Sequence, residues 1–233
     1  MSEKINNKKI FVFTGAGVSA ESGLQTFRDS GGLWNNYDIN DVATPAGWEN
    51  DPQLVLEFYN ERRLEASRAQ PNEAHKAIAR LQEKFEVVVV TQNIDDLHER
   101  GGSNDVIHLH GELCKVRSTL DESLVYNIHA DTIKMGDTCE KGGQLRPHIV
   151  WFGERMQNHE ISVKHIKTSA KVLVIGSSLA VYPAAGILKK ARYHAEKIIV
   201  NLDMEKKPSG YKWIRGRAAS VVPYMADLWL DGM

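Results

Sequence analysis

The sequence predicts an α/β fold in which helices cover both faces of a parallel sheet and a small subdomain is inserted. Short runs rich in Val and Ile alternate with helical patterns, and such continuous apolar runs are typical of central parallel strands. The Gly15-Ala16-Gly17 turn joins the first of these runs to a helix-compatible run. Segment 113–146 is polar, contains glycine and has weak periodicity, so we predict that it is the insertion.

The elements follow from this alternation in chain order. The predicted strands are 9–14, 87–91, 106–109, 172–176, 197–201 and 220–222. The predicted helices are 52–69, 72–84, 95–100, 183–195 and 223–230. We therefore expect residues 1–112 and 147–233 to form one Rossmann-like domain, with a helical excursion at about 30–70, and residues 113–146 to form the insertion.

Composition excludes several classes of function. The chain has 233 residues, 42% hydrophobic and 25% charged, which is typical of a globular domain. The formal net charge of −1 provides no basic field for nucleic acid or a membrane surface. No apolar run has the length of a membrane span, no signal-peptide core precedes the first strand, and two cysteines make no disulfide framework. We expect a soluble, cytoplasmic monomer.

The first chemical motif is the glycine turn after strand 9–14. The order of strand, tight turn and helix is typical of dinucleotide-binding elements. Gly15 and Gly17 would let the backbone approach a pyrophosphate, the next helix would offer free N–H groups to it, and Ala20 fills the third, small position. A plain turn is the alternative interpretation.

The chain after this helix departs from a dehydrogenase. A second strand ending in Asp or Glu would be expected about 20 residues on. Instead, Phe27 and Arg28 lead into a glycine-containing loop. This segment is either a mobile loop that closes over a phosphate-bearing ligand or a simple connection.

Polar residues follow the strand predicted at 87–91. Ligands of open α/β sheets bind at the carboxyl ends of strands, which places Gln92, Asn93 and Asp95 beside a ligand. Asp95 could equally cap the next helix. For His98 we expect a surface or packed helix position without a chemical role.

Two histidines end the strand predicted at 106–109. His108 and His110 are two residues apart and share one face of a strand, so a metal pair is conceivable. Nothing nearby supplies clear further ligands. A general base at His110 is the preferred interpretation, because imidazole titrates near neutral pH, and a core histidine is the alternative.

Together these motifs resemble the ordered motif set of the sirtuins, which are NAD-dependent protein deacylases. The matching segments run through almost the whole chain and comprise Gly15–Ser19, Ser22-Gly23, Phe27-Arg28, Gln92–Asp95, His110-Gly111, Trp151–Glu154, Gly176–Leu179, Tyr182–Ala184 and Asn201. The resemblance also explains the missing acidic residue, because the ribose-facing side chain of this family comes from a later strand end, here Asn201.

The resemblance implies a site and a reaction. NAD would be the cofactor, with His110, Asn93 and Asp95 as the catalytic residues, and the reaction would produce nicotinamide and O-acyl-ADP-ribose. His110 would be the base that activates a ribose hydroxyl, Asn93 and Gln92 would position the ribose and a water, and Asp95 would hold the nicotinamide carboxamide. The implied cofactor-binding residues are Gly15, Ala16, Gly17, Ser19, Ala20, Phe27, Arg28, Gln92, Asn93, Ile94, Asp95, Gly176, Ser177, Ser178, Asn201, Asp203 and Ala218.

The partner implied by the resemblance is an acylated lysine in a protein substrate. The residues implied to bind its peptide are Val150, Phe152, Gly153, Glu154 and Tyr182. Segment 152–154 would present a strand edge to which the peptide adds as a further strand.

The predicted helix 52–69 contains residues that indicate which acyl group is removed. Tyr59 and Arg62 lie three residues apart and share one helix face, which on spacing alone indicates an exposed charged helix. The pair nevertheless resembles the acyl pocket of the sirtuins that remove succinyl and malonyl groups, as does the Ala43-Thr44-Pro45 segment. Arg can clamp a carboxylate with two hydrogen bonds, and the small Ala43 would admit a longer chain. We therefore expect desuccinylase and demalonylase activity with some deacetylase activity.

The insertion departs from the family. Ser118, Asp121, Thr138 and Lys141 align with the four cysteines that usually bind a structural zinc, so no metal site is expected. Apolar packing could replace the zinc, or the insertion could be mobile. Two alternatives remain open, a degenerate sirtuin that binds NAD or ADP-ribose without turnover and a mono-ADP-ribosyltransferase. A hydride-transferring dehydrogenase is disfavoured.

Overall fold

The structure, a computed structural model, describes residues 4–25, 33–34, 37–204 and 207–232. The strands are β1 (Asn6–Thr14), β2 (Leu33–Trp34), β3 (Tyr37–Asp38), β4 (Glu86–Thr91), β5 (Val106–His108), β6 (Gly111–Ser118), β7 (Val125–Asn127), β8 (Leu145–Ile149), β9 (Ser169–Ile175), β10 (Glu196–Asn201) and β11 (Lys212–Arg215). The α-helices are α1 (Gly17–Ala20), α2 (Ile39–Val42), α3 (Pro45–Asn50), α4 (Pro52–Arg68), α5 (Glu73–Arg80), α6 (Leu97–Arg100), α7 (His159–Thr168) and α8 (Ala218–Leu230), and 3₁₀ helices cover Leu81–Glu83 and Ala184–Lys190.

The central feature is a six-stranded parallel sheet with the order β11-β10-β9-β1-β4-β5. The chain lays β4 and β5 on one side of β1 and then returns to lay β9, β10 and β11 on the other. This reversal creates a crevice between β1 and β9 at the carboxyl ends of the strands, where ligands of open α/β folds bind. The predicted α/β fold is confirmed.

Strand β1 shows why the apolar runs are continuous. Ile10 and Val12 pack into one buried cluster with residues of α5 and α8. Phe11 and Phe13 point to the opposite face and pack with residues of α7 and the second 3₁₀ helix. Because successive strand side chains alternate between faces, a strand covered on both sides needs an apolar residue at each position.

The prediction of a strand at 220–222 is wrong, because these residues lie within α8. The buried residues of that helix are Ala218, Val222, Met225, Ala226 and Trp229, which recur at helical spacing. They pack against the sheet, so tertiary burial outweighs the β-branched pair and the internal proline. The last strand is instead β11.

Other element boundaries also differ from the prediction. The predicted helix 183–195 is a shorter 3₁₀ helix, Ala184–Lys190, and the predicted helix 72–84 divides into α5 and the first 3₁₀ helix. Helix α6 starts at Leu97, two residues later than predicted, and α7 was not predicted. Within the described ranges, no helix combines the length and apolar character needed to cross a membrane.

A three-stranded antiparallel sheet with the order β7-β6-β8 spans most of the predicted insertion. It packs on α4, where Leu56 joins Val116 and Ile133 in a buried cluster. The guanidinium of Arg63 is also buried, and its Nε donates to the Leu113 carbonyl at 2.6 Å. Apolar and polar contacts thus hold the insertion against α4. The bounds of the insertion, 113–146, stay a prediction.

Two of the positions aligned with zinc cysteines form an ion pair. Lys141 Nζ lies 2.7 Å from Asp121 Oδ2. At a third position, the Ser118 hydroxyl accepts a hydrogen bond from Cys139 Sγ at 3.2 Å. In the part of the chain that the structure describes, no three His, Cys, Asp or Glu side chains are grouped to hold a metal.

Chelation tests this arrangement. Treatment with EDTA is expected to leave the Tm and the turnover of the protein unchanged, because an Asp–Lys pair needs no cation. Elemental analysis of the purified protein is the direct measurement, and the Tm in excess zinc is the control. One tightly held zinc ion per chain, or a large fall in Tm on chelation, would contradict the prediction.

Candidate active site

The loops after β1 and β9 touch through their glycines. Gly17 donates its N–H to the Gly176 carbonyl at 2.9 Å. A Cβ on Gly17 would lie 2.8 Å from Gly176 Cα, and a Cβ on Gly176 would lie 2.4 Å from the Val18 nitrogen. Gly15 is equally close to Ser177. Glycine is therefore needed at these positions because the two loops touch at the crevice between β1 and β9.

The expectation that α1 offers free N–H groups to a pyrophosphate is wrong. The helix is a single turn. Gly17 donates to Gly176, Val18 donates to the Gly15 carbonyl, and Ser19 and Ala20 both donate to the Ala16 carbonyl. The N–H groups of α1 are therefore engaged with carbonyls of the two loops.

Gly176 provides a stability prediction. Its φ is +60°, and an added Cβ would meet backbone. Gly176→Ala is expected to lower the free energy of unfolding by about 2–4 kcal/mol and to weaken NAD binding. Gly142→Ala is the matched control, because Gly142 has a φ of +77° but no atom within 4 Å of the added Cβ. Urea denaturation measures both variants, and equal costs would contradict a role in loop contact.

A network of side chains joins the carboxyl ends of four strands. Asn93 Nδ2 donates to Ser19 Oγ at 3.0 Å, which links the loops after β4 and β1. Ser177 Oγ donates to Gln92 Oε1 at 2.7 Å, and Asn201 Nδ2 donates to the Ser177 carbonyl at 2.9 Å. Residues predicted from separate motifs therefore meet in one crevice.

The other predicted cofactor residues lie around this network. Ile94 is half-buried and accepts a hydrogen bond from the Leu113 N–H, and Ser178 is half-buried with its hydroxyl at the Ala180 N–H. Asp203 is exposed beyond the end of β10, and Ala218 is buried at the start of α8. Phe27 and Arg28 lie outside the described residues.

Asp95 is a buried carboxyl at the end of β4. Its Oδ1 accepts a hydrogen bond from the N–H of Leu97, the first residue of α6, so part of the predicted capping role is observed. Burial raises the pKa of Asp95, and hydrogen bonds from Leu97 N–H and the Ser19 hydroxyl oppose this rise. The carboxyl therefore contacts the same serine as Asn93.

His110 has a defined tautomer. Its Nδ1 lies 3.0 Å from the Gln92 carbonyl, which can only accept, so Nδ1 carries the proton. The lone pair is then on Nε2, as a general base requires. Burial lowers the pKa of His110, which keeps the ring neutral near neutral pH.

His108 binds other partners than His110 does, so the two histidines do not form a metal-binding pair in this structure. Its Nδ1 lies 2.9 Å from the Asn93 carbonyl and its Nε2 lies 2.8 Å from Glu99 Oε1, so both nitrogens are engaged. Burial alone would lower the pKa of His108, but the hydrogen bond and charge of Glu99 outweigh it and raise the pKa. His98 is a packed residue, buried with its Nε2 2.9 Å from Thr14 Oγ1.

The predicted acyl-binding residues are buried, so the exposed-helix alternative is wrong. Tyr59 packs with Ala43 and Trp151 in one apolar cluster. Burial raises the pKa of Tyr59. Arg62 is only 7% exposed, and its Nη2 lies 2.7 Å from Glu65 Oε1.

The predicted peptide segment connects the candidate base to the acyl-binding residues. Val150 donates its N–H to the His110 carbonyl, and Phe152 donates its N–H to the Ala43 carbonyl, both at 2.9 Å. The expected strand edge at 152–154 is wrong. Glu154 donates its N–H to the Trp151 carbonyl at 3.0 Å and closes a turn in which Gly153 has a φ of +92°.

Glu154 holds this turn in place. Arg146 Nη1 lies 2.9 Å from Glu154 Oε1, Arg117 Nη2 lies 3.1 Å from the same atom, and the Trp151 N–H donates to Oε2 at 2.8 Å. The sequence did not predict that Arg117 and Arg146 bind Glu154. The feature that could have indicated them is that both lie on strands at the ends of the insertion. The side chain of Tyr182 is 63% exposed.

Comparison with known proteins identifies the family of the chain. The family model described as "Sir2 family" matches residues 15–183. The NAD-dependent protein deacylase of Vibrio parahaemolyticus is 46% identical over 230 residues, covering 94% of each chain. The crystal structure of a Sir2 homologue–NAD complex superposes with a TM-score of 0.86 at 36% identity, covering 97% of this chain and 90% of the other. A Sir2 protein bound to a propionylated peptide has a TM-score of 0.77 at 28% identity, covering 97% and 94%. With this extent of match, the chain belongs to the Sir2 family.

Proposed function

We propose that this protein is an NAD-dependent protein-lysine deacylase that transfers the acyl group of a modified lysine to ADP-ribose and releases nicotinamide. The observation that carries the proposal is His110, whose Nδ1–H is anchored on the Gln92 carbonyl. Its Nε2 is thereby left as a base in a crevice that Asn93 and Asp95 also line. The relatives named NAD-dependent protein deacylases support it.

The residues present fit a dinucleotide. The loops after β1 and β9 touch through their glycines at the crevice between these strands. Hydroxyl, amide and carboxyl groups surround this contact. NAD, when bound, would supply the ribose carbon and hydroxyls at which the acyl group is transferred. Ser19, Ser177 and Asn201 would hold phosphate and ribose.

Side chains of the crevice would have separate roles in the reaction. Asn93 and Gln92 are fixed by their hydrogen bonds to Ser19 and Ser177, so they can orient a ribose at low entropic cost. Asp95 would hold the nicotinamide carboxamide. His110 Nε2 would take the proton of a ribose hydroxyl, and burial keeps this nitrogen unprotonated.

The acyl preference proposed here is for succinyl and malonyl groups, with some deacetylation. Arg62 is a buried cation beside the Tyr59 cluster, and a guanidinium can clamp a terminal carboxylate with two hydrogen bonds. Ala43 and Ala66 have the smallest side chains of that cluster, and Ala43 would leave room for a longer chain.

Matched peptides test the function. The purified protein is incubated with NAD and with acetyl-lysine or succinyl-lysine peptides of one sequence, and mass spectrometry follows nicotinamide and O-acyl-ADP-ribose. Faster succinyl removal is expected. An acetyl preference would overturn the acyl assignment alone. No turnover with intact NAD binding would favour a degenerate binder, and nicotinamide release without an acyl substrate would favour ADP-ribosyl transfer.

The pH dependence of turnover is a further prediction. A general base works unprotonated, so activity falls as pH drops through its pKa. Because burial lowers the pKa of His110 from the ordinary 6.5, the acid limb of kcat/KM is expected below pH 6.5. A pH series with the succinyl peptide measures it, and an acid limb well above pH 7 would contradict the assignment.

A further inference from the structure

The buried guanidinium of Arg62 is already paired with a carboxylate of its own helix. Its Nη2 lies 2.7 Å from Glu65 Oε1, one helical turn further along α4. The two partners differ in accessibility, because the Arg62 side chain is 7% exposed and the Glu65 side chain is 48% exposed. Glu65 therefore reaches a buried cation from the surface.

The other nitrogen on the same edge of the Arg62 guanidinium, Nε, is also buried. In the part of the chain that the structure describes, the buried Nε of Arg62 has no hydrogen-bond partner. Nε and Nη2 form the fork that binds a carboxylate through two parallel hydrogen bonds. Nη2 thus binds Glu65, whereas Nε is unsatisfied and shielded from water.

These contacts suggest competition between two carboxylates. A succinyl or malonyl carboxylate that engages both nitrogens would satisfy Nε but would meet Glu65 at Nη2. Two carboxylates close together repel each other, so binding requires Glu65 to withdraw toward solvent. A neutral acetyl group makes no such demand on Arg62.

We infer that Glu65 is a specificity-determining residue, whose carboxylate competes with the acyl carboxylate for Arg62 and so lowers the preference for acidic acyl groups over neutral ones. This inference rests on the acyl pocket of the proposed function. Glu65 is exposed enough to move aside, which makes it a modulator of acyl choice and keeps acidic chains as substrates.

Arg62 has other contacts that would keep it in place without Glu65. Its guanidinium lies 5.5 Å from the centre of the Phe58 ring. Glu61 Oε2 is 4.0 Å from Nη2, and its side chain is 56% exposed. Glu61 is therefore the matched comparison, a carboxylate of the same helix that approaches the same cation at a longer distance.

The variant Glu65→Gln tests the inference, since the amide keeps the shape and removes the charge. The ratio of kcat/KM for succinyl to acetyl peptides is expected to rise by about two- to fivefold, the range of a partly exposed ion pair. The rise should come from a lower KM for the succinyl peptide. Glu61→Gln should change the ratio less.

The Arg62→Met background separates the two proposals. There, adding Glu65→Gln is expected to leave the ratio unchanged, because the contested cation is gone. If Arg62→Met lowers the ratio but Glu65→Gln alone leaves it unchanged or lowers it, the competition is overturned and the acyl pocket stands. If Arg62→Met itself leaves the ratio unchanged, the acyl pocket of the proposed function is overturned. Thermal melts of each variant confirm that it is folded.

Discussion

Replacing His110 with alanine is expected to lower kcat/KM by about 10²- to 10⁴-fold for both acetyl and succinyl peptides, the usual contribution of a general base. The loss should appear with each acyl group, because the base would act on the ribose hydroxyl, which all acyl substrates share. NAD affinity should fall much less, since the hydrogen bonds among Ser19, Asn93, Gln92 and Ser177 do not include the imidazole. Calorimetric titration with NAD, beside the peptide assay, measures the two effects separately.

His194→Ala is the control, because His194 is exposed and lies on the loop before β10. It is expected to have near wild-type turnover. If His110→Ala kept more than a tenth of the wild-type turnover, another group would have to be the base. If it lost NAD binding in proportion to turnover, the role of His110 would be in binding.

The parts of the fold that could be predicted are those encoded by local pattern. Strand β1 is apolar at four successive positions, Ile10 to Phe13, and this pattern suits a strand with a helix layer on each face. Gln92, Asn93 and His110 could be placed at strand ends because they come within two residues of the predicted strands 87–91 and 106–109. Their meeting in one crevice then follows from the parallel arrangement of the sheet.

The parts that could not be predicted depend on contacts between distant segments. The pairing of His108 with Glu99 raises the pKa of His108 while burial lowers that of His110, yet His108 and Glu99 lie on different elements. Glu154 was expected in a strand edge, but Arg117 and Arg146 from the antiparallel sheet hold it in a turn. Local sequence does not report such partners.

Loss of the cation at Arg62 is expected to change which acyl group the enzyme prefers. Arg62→Met should lower kcat/KM for the succinyl peptide by at least about 30-fold, since breaking a buried, hydrogen-bonded charge pair costs about 2 kcal/mol or more. Deacetylation should fall much less, because the acetyl group has no carboxylate. Methionine keeps the apolar stem of arginine and its packing on Phe58, which limits the cost to stability.

Arg68→Met is the matched control, because Arg68 lies on the same helix and is exposed. Arg63 would not serve, since its guanidinium donates to the Leu113 carbonyl and its loss would disturb the insertion. The acyl ratio isolates the clamp from general damage to α4, because damage lowers both activities together. Equal losses of desuccinylation and deacetylation in Arg62→Met would therefore leave Arg62 a structural role alone, whereas a loss confined mainly to the succinyl peptide requires the buried cation to meet the acyl carboxylate.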